Sequence, residues 1–181
     1  MKSILGFMLL VIATVSCTGT KEEEYNIAAE AAYSAKFPSD VDTSWNYKSL
    51  YDKMTDDTTY SADVLAKQKL QFASPYDGGV SVKLNIRKDA ETNVFVSVDQ
   101  GIFNMSSNGG NKVKCRFDKD KAIEFKVVSS SDHSSNVIFI SDTDRFLSEV
   151  KKHKSLIIEA EFYQEGFRQM DFNIADFKLK N

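Results

Sequence analysis

From Trp45 onward the chain alternates apolar and polar residues with a period of two, the pattern of strands that bury one face. Trp45, Tyr47, Ser49 and Tyr51 alternate with Asn46, Lys48, Leu50 and Asp52, and Thr55-Asp56-Asp57 turns the chain. Tyr60, Ala62 and Val64 continue as a second strand. Leu70 and Phe72 lead into Ser74-Pro75-Tyr76-Asp77-Gly78-Gly79, a loop signal. Val80, Val82, Leu84 and Ile86 give the cleanest alternation. Val94, Val96 and Val98 return, with Phe95 on the opposite face. Ile102–Met105 reads as a short strand and 106–111 as a hairpin-type loop. Lys112–Phe117, then Ile123, Phe125 and Val127, then the apolar run Val137–Ile140 follow. Leu156, Ile158, Ala160 and Phe162 turn through Gln164-Glu165-Gly166 into Met170, Phe172 and Ile174.

Short strands separated by turn residues predict a mainly β domain over residues 44–181, an antiparallel β-sandwich of immunoglobulin-like or similar type, with a barrel as the alternative. One helix interrupts it near residues 143–153. Asp142 or Thr143 would cap it, because a short side-chain oxygen accepts an otherwise orphaned amide proton. Phe146, Leu147 and Val150 share one helical face, and Lys151, Lys152 and Lys154 complement the negative end of the helix dipole.

The first residues follow another rule. One lysine, the apolar run Ile4–Ala13 and the small residues before Cys17 have the layout of a secretory signal peptide. The cysteine after them resembles the lipidation site of bacterial lipoproteins. That resemblance implies cleavage after residue 16 and acylation of Cys17. The apolar run is shorter than the roughly 20 residues a membrane-spanning helix needs. Thr14 stands three before the cysteine, where the lipoprotein pattern prefers leucine. Residues 17–43 read as the lipidated cysteine and a tether, with a short helix over 25–37 stopped by Phe37-Pro38. Lys21-Glu22-Glu23-Glu24 reads as a charged linker; an acidic run in that place also resembles a surface-export signal of some bacterial groups.

Composition narrows the function. The chain has 181 residues, with 23 Lys+Arg against 26 Asp+Glu and a net charge of −3. That balance argues against a nucleic-acid binder and against polybasic adsorption to anionic lipid, so the lipid must anchor. With Cys17 acylated, Cys115 is left alone. It alternates with Val113 and Phe117 on an apolar strand face, where a thiol behaves as a small buried hydrophobe. His133 and His153 lie in different segments, so no metal site and no cofactor is expected.

No constellation for chemistry is convincing. Asp132-His133-Ser134 is a loop, and no Gly-x-Ser-x-Gly is present. Asp56-Asp57 belongs to a turn, while Glu159 and Glu161 project from the wet face of a strand. No phosphate loop, dinucleotide fingerprint or calcium loop occurs. Tyr163, Phe167 and Phe177 crowd the last hairpin, and an exposed cluster there would suggest a protein-binding edge.

Several short segments carry a family resemblance. They are Trp45 with Met54-Thr55-Asp56-Asp57, Leu84-Asn85-Ile86-Arg87, Val94–Val98, Cys115-Arg116-Phe117-Asp118, Ser129-Ser130-Ser131-Asp132, Phe146-Leu147 and Asp171-Phe172-Asn173-Ile174. In order and spacing, over about residues 44–177, the chain resembles a family of small exported bacterial proteins that includes accessory proteins associated with type VI secretion. The resemblance implies an exported, non-enzymatic β-sandwich with no catalytic residues to carry over. Members often have a cysteine where this chain has Lys88, so a disulfide through that position is absent.

The expectation is therefore a lipid-anchored, non-enzymatic binding or accessory protein with a protein partner in the envelope. It would sit on the outer membrane facing the periplasm, with surface exposure as the alternative. Competing readings are an inhibitor of an envelope-directed hydrolase, a hydrolase using Asp/Glu or His133, and a purely structural surface lipoprotein. If Arg116, Asp118, Ser130 and Asp132 converge, they form the candidate partner- or anion-binding face, with Arg116 as donor. The plainer reading is a local staple between turns.

Overall fold

A computed structural model describes residues 42–76, 78–106 and 111–178. Cys17, the acidic run and the expected helix over 25–37 lie outside the described residues.

Among the described residues, nine strands form one antiparallel sheet in the order β1-β2-β3-β4-β7-β6-β5-β8-β9. They are β1 (Asn46–Asp52), β2 (Asp57–Leu65), β3 (Val82–Lys88), β4 (Thr92–Val98), β5 (Lys112–Phe117), β6 (Ile123–Ser129), β7 (Val137–Ile140), β8 (Ser155–Phe162) and β9 (Gly166–Asn173). The single helix among the described residues, α1 (Thr143–Val150), follows β7. The mainly β, antiparallel class read from the alternation is present.

Its layout differs from two packed sheets, because β6 belongs to both halves. Val113–Cys115 of β5 face Ile123–Phe125 of β6, while Val127–Ser129 of β6 face Ile138–Ile140 of β7. A strand that changes partners along its length turns the corner of a sheet. Farther on, the chain leaving β2 is shared in the same way. The Ala66 amide donates to the Val82 carbonyl (2.9 Å), the Lys67 amide donates to the Asp171 carbonyl (2.7 Å), and Ala66 bridges Phe172 of β9. The sheet therefore rolls up and its far end meets β2 at that bridge, with β1 left outside the closure.

Alternation decides which face points inward. Val82, Leu84 and Ile86 on β3 and Val94, Val96 and Val98 on β4 are buried, and so are Val113, Cys115 and Phe117 on β5. These join Leu156, Ile158, Met170 and Phe172 in one apolar cluster. Fully burying one such side chain contributes about 1.5–3 kcal/mol, so this cluster is the main source of stability. α1 covers part of it, with Phe146 stacked edge-on against Phe125 (5.3 Å) and Phe117 (5.8 Å).

Three sequence expectations change. β1 forms as expected, but all seven of its residues are exposed; the closure at residues 66–67 lies beyond it. Ile102–Met105 forms no strand; it makes a bridge between Phe103 and Phe162, with backbone hydrogen bonds to Ser135, Glu161 and Tyr163. The lysines after α1 lie past its last turn, where Lys152 reaches back to Glu149 at 3.2 Å.

Candidate binding surface

The sequence nominated Arg116, Asp118, Ser130 and Asp132, and the fold separates them into two pairs. Arg116 and Asp118 sit at the end of β5, beside the start of β6. Ser130 and Asp132 follow the far end of β6. A seven-residue strand spans roughly 20 Å, so the pairs occupy opposite ends of it.

Each pair holds its own turn. Arg116 Nε donates to the Asp120 carbonyl at 3.1 Å. Asp118 adopts a left-handed backbone (φ 47°), and its Oδ1 accepts from the Lys154 amide, the Ser155 amide and the Ser155 hydroxyl at 2.8–3.1 Å. Those donors keep its carboxyl below the usual range, the Ser155 amide most of all. At the other end, the Ser130 hydroxyl and the Ser134 amide hold the Asp132 carboxyl at about 2. His133 is the left-handed residue of that loop (φ 61°) and donates its amide to the Ser130 carbonyl. Three other carboxylates singled out, Asp56, Glu159 and Glu161, are also engaged. Asp56 accepts from the Tyr51 hydroxyl. Glu159 accepts from Lys114 (3.1 Å) and Gln169 (2.9 Å), and Glu161 accepts from Asn104 (3.0 Å). Tyr163 and Phe167 are exposed near the β8–β9 turn, whereas Phe177 packs on Trp45 at 4.7 Å. Cys115 is a free, fully buried thiol whose pKa burial drives up. Among the described residues, no group of three or more His, Cys, Asp and Glu could hold a metal ion.

A surface that the sequence did not nominate is better built. A groove of about 740 Å³ runs over the outer face of the sheet, between the β3–β4 turn, the end of β6 and the entry to α1. Its floor includes Phe139 and Val128. Phe139 stacks on Phe95 at 5.0 Å, and the two are register partners on β7 and β4. The apolar run Val137–Ile140 thus divides by face: Ile138 and Ile140 enter the core, while Phe139 stays on the outside. The rim carries Arg87, Asn93, Asp142 and Asp144. Arg87 is braced by Asp89 at 3.4 Å, and Asp142 caps α1 by accepting the Arg145 amide at 3.4 Å. The last residue of β6, Ser129, and Ser131 in the loop after it line the groove, and Ser130 and Asp132 do not. Past Ser141 and Asp142 a second hollow of about 550 Å³ continues, bordered by Lys112, Lys126 and Arg145.

This groove offers an aromatic and aliphatic floor for an apolar group. Its rim supplies the carboxylates of Asp142 and Asp144 as acceptors and Arg87 and Asn93 as donors. Two signals for it were present in the sequence: Phe95 breaking the polar face of its strand, and a β7 with no polar residue. Neither shows that the two rings meet, because β4 and β7 are joined by register and not by chain order.

No known protein family, curated protein or solved structure matches the chain.

Proposed function

We propose that the protein is a non-enzymatic binding or accessory lipoprotein of the bacterial cell envelope, held at the outer membrane by acylated Cys17. It grips a segment of a protein partner in the groove over Phe139. One observation carries the reading. Phe139 and Val128 line the groove on the outward face of the sheet inside a polar rim, with Phe95 stacked beside Phe139, and apolar centres ringed by polar groups are the anatomy of binding sites. Asp142 on the rim caps α1, and Asp89 braces Arg87. Association with a secretion apparatus is the system this proposal favours, through the sequence resemblance over residues 44–177.

A photo-activated cross-linking residue in place of Asn93, in the groove, is expected to capture one envelope protein. The same residue in place of Lys119, in the β5–β6 turn, should not. Phe139→Ser should abolish the capture in a chain that still folds. Equal capture from both positions would defeat the groove as the site. The anchor has its own check: a palmitate analogue should label the wild-type chain and not Cys17→Ser.

A further inference from the structure

β1 is hydrogen-bonded to β2 on one side only, and the closure at residues 66–67 leaves its other side outside the rolled sheet. An open edge presents a row of unpaired amide and carbonyl groups, and proteins normally blunt it with proline, a bulge or a covering segment. Among the described residues β1 carries no proline or bulge, and the C-terminal segment reaches it only at the Tyr47 hydroxyl, which accepts the Lys178 amide at 2.8 Å. Its seven residues run in unbroken register with β2, from Asn46 opposite Asp63 to Asp52 opposite Asp57. Its apolar side chains face water as well, with Leu50 73%, Tyr51 53% and nearby Met54 91% exposed.

We propose that this edge pairs antiparallel with β1 of a second copy of the chain, about a two-fold axis through Leu50. The side-chain order selects the occupant. A two-fold axis normal to the sheet keeps the outer faces together, so each residue must meet one of its own face. On the outer face the order is Asn46, Lys48, Leu50, Asp52. Centred on Leu50, the pairing sets Leu50 against Leu50 and Lys48 against Asp52 twice, once on each side of the axis. On the other face Ser49 meets Tyr51. Opposite charges directly across a strand pair stabilise it, and like charges oppose it. A parallel pairing would stack Lys48 on Lys48 and Asp52 on Asp52. The antiparallel register centred on Ser49 would set Lys48 against Leu50 and leave both charges without a counterpart. The strand is therefore complementary to itself in one register and not in its neighbours.

Both charges are available for this. Lys48 is 64% exposed and only loosely drawn to Asp63 at 3.8 Å, an anion that Lys83 also approaches at 3.9 Å. Asp52 uses Oδ1 to accept the Met54 amide, and Oδ2 remains for the partner. A seven-residue strand buries less than the roughly 800 Å² per partner of a standard interface, which places the dimer among the small, reversible ones.

Sedimentation of the chain from residue 17 onward, with Cys17→Ser, tests this, since that piece contains every described residue. A concentration-dependent monomer–dimer equilibrium is expected. Lys48→Asp alone, or Asp52→Lys alone, should weaken it about tenfold or more by facing like charges across the axis. The double reversal should restore it to within about threefold, because the complementarity is then rebuilt with opposite sign. Both positions are exposed, and an unchanged circular dichroism spectrum confirms that the three variants fold. Under mild oxidation Leu50→Cys should give a disulfide-linked dimer and Ser49→Cys should not. A chain that stays monomeric to millimolar concentration overturns the proposal. So does a dimer indifferent to the single reversals, or one that cross-links through residue 49 in preference to residue 50.

Discussion

His153 shows what a polar side chain in this molecule is for. Its Nδ1 lies 2.8 Å from the Glu149 carbonyl at the end of α1, and its Nε2 lies 3.2 Å from the Asp120 carboxylate in the β5–β6 turn. Both partners are acceptors, so the doubly protonated ring satisfies them together. The Glu149 carbonyl first, and then the Asp120 carboxylate, raises its pKa. A raised folded-state pKa gives stability that is full below the unfolded value, about 6.5, and is lost as pH rises through the folded value. His153→Gln should therefore lower the denaturant midpoint at pH 5.5 relative to wild type, with the gap closing by pH 8.5. A gap of equal size at both values would assign the effect to packing against Phe117. Asp118 has the opposite sign. Its depressed pKa gives stability present above the ordinary aspartate range and lost as pH falls through the folded value. The sequence showed which residues were polar but not what they touch. Arg116, Asp118, Ser130 and Asp132 look like a set on the page, yet β6 keeps them apart.

At the scale of elements, the helix was the easiest to read and the first strand the hardest. α1 announces itself by a capping aspartate and by Phe146, Leu147 and Val150 at helical spacing, all of them buried. These are local signals, and the fold keeps them. β1 carries the same alternation as β3, but alternation specifies two faces and not whether anything lies against them. What covers a strand is decided by residues far away in the chain. The helix allows the two contributions to be separated. Phe146→Ala removes a ring buried between Phe117 and Phe125 and should cost about 3–5 kcal/mol in denaturant unfolding. Asp142→Ala removes only a cap and should cost about 0.5–2 kcal/mol. A reversed order would mean that α1 is held by its cap and merely rests on the sheet.

At the scale of the whole molecule, the rolled shape depends on two places where one strand serves two neighbours. One is β6, whose first residues pair with β5 and whose last pair with β7. The other is the stretch after β2, where the Ala66 amide turns to Val82 while the Lys67 amide turns to Asp171. Neither is legible in the sequence: each residue involved looks ordinary, nothing in β6 marks where it changes partner, and the Lys67–Asp171 contact spans about a hundred positions. The β-rich class is legible, since it needs only the period of two. If the bridge at 66–67 is a true closure, it should open only when the core opens. Hydrogen exchange on a dilute, monomeric sample measures this directly, because local opening and global unfolding give different protection. The amides of Leu84, Val96 and Ile158, central in the sheet, are expected to exchange most slowly. Amides of β1 that point away from β2 are expected to exchange fastest. The Lys67 amide decides the matter. Protection matching Val96 means that β2 and β9 are locked and the sheet unfolds as one unit with β1 as an appendage. Protection no better than that of β1 means the roll stands open there, held by its shared core alone, and Phe172→Ala would then loosen β9 without speeding exchange in β3.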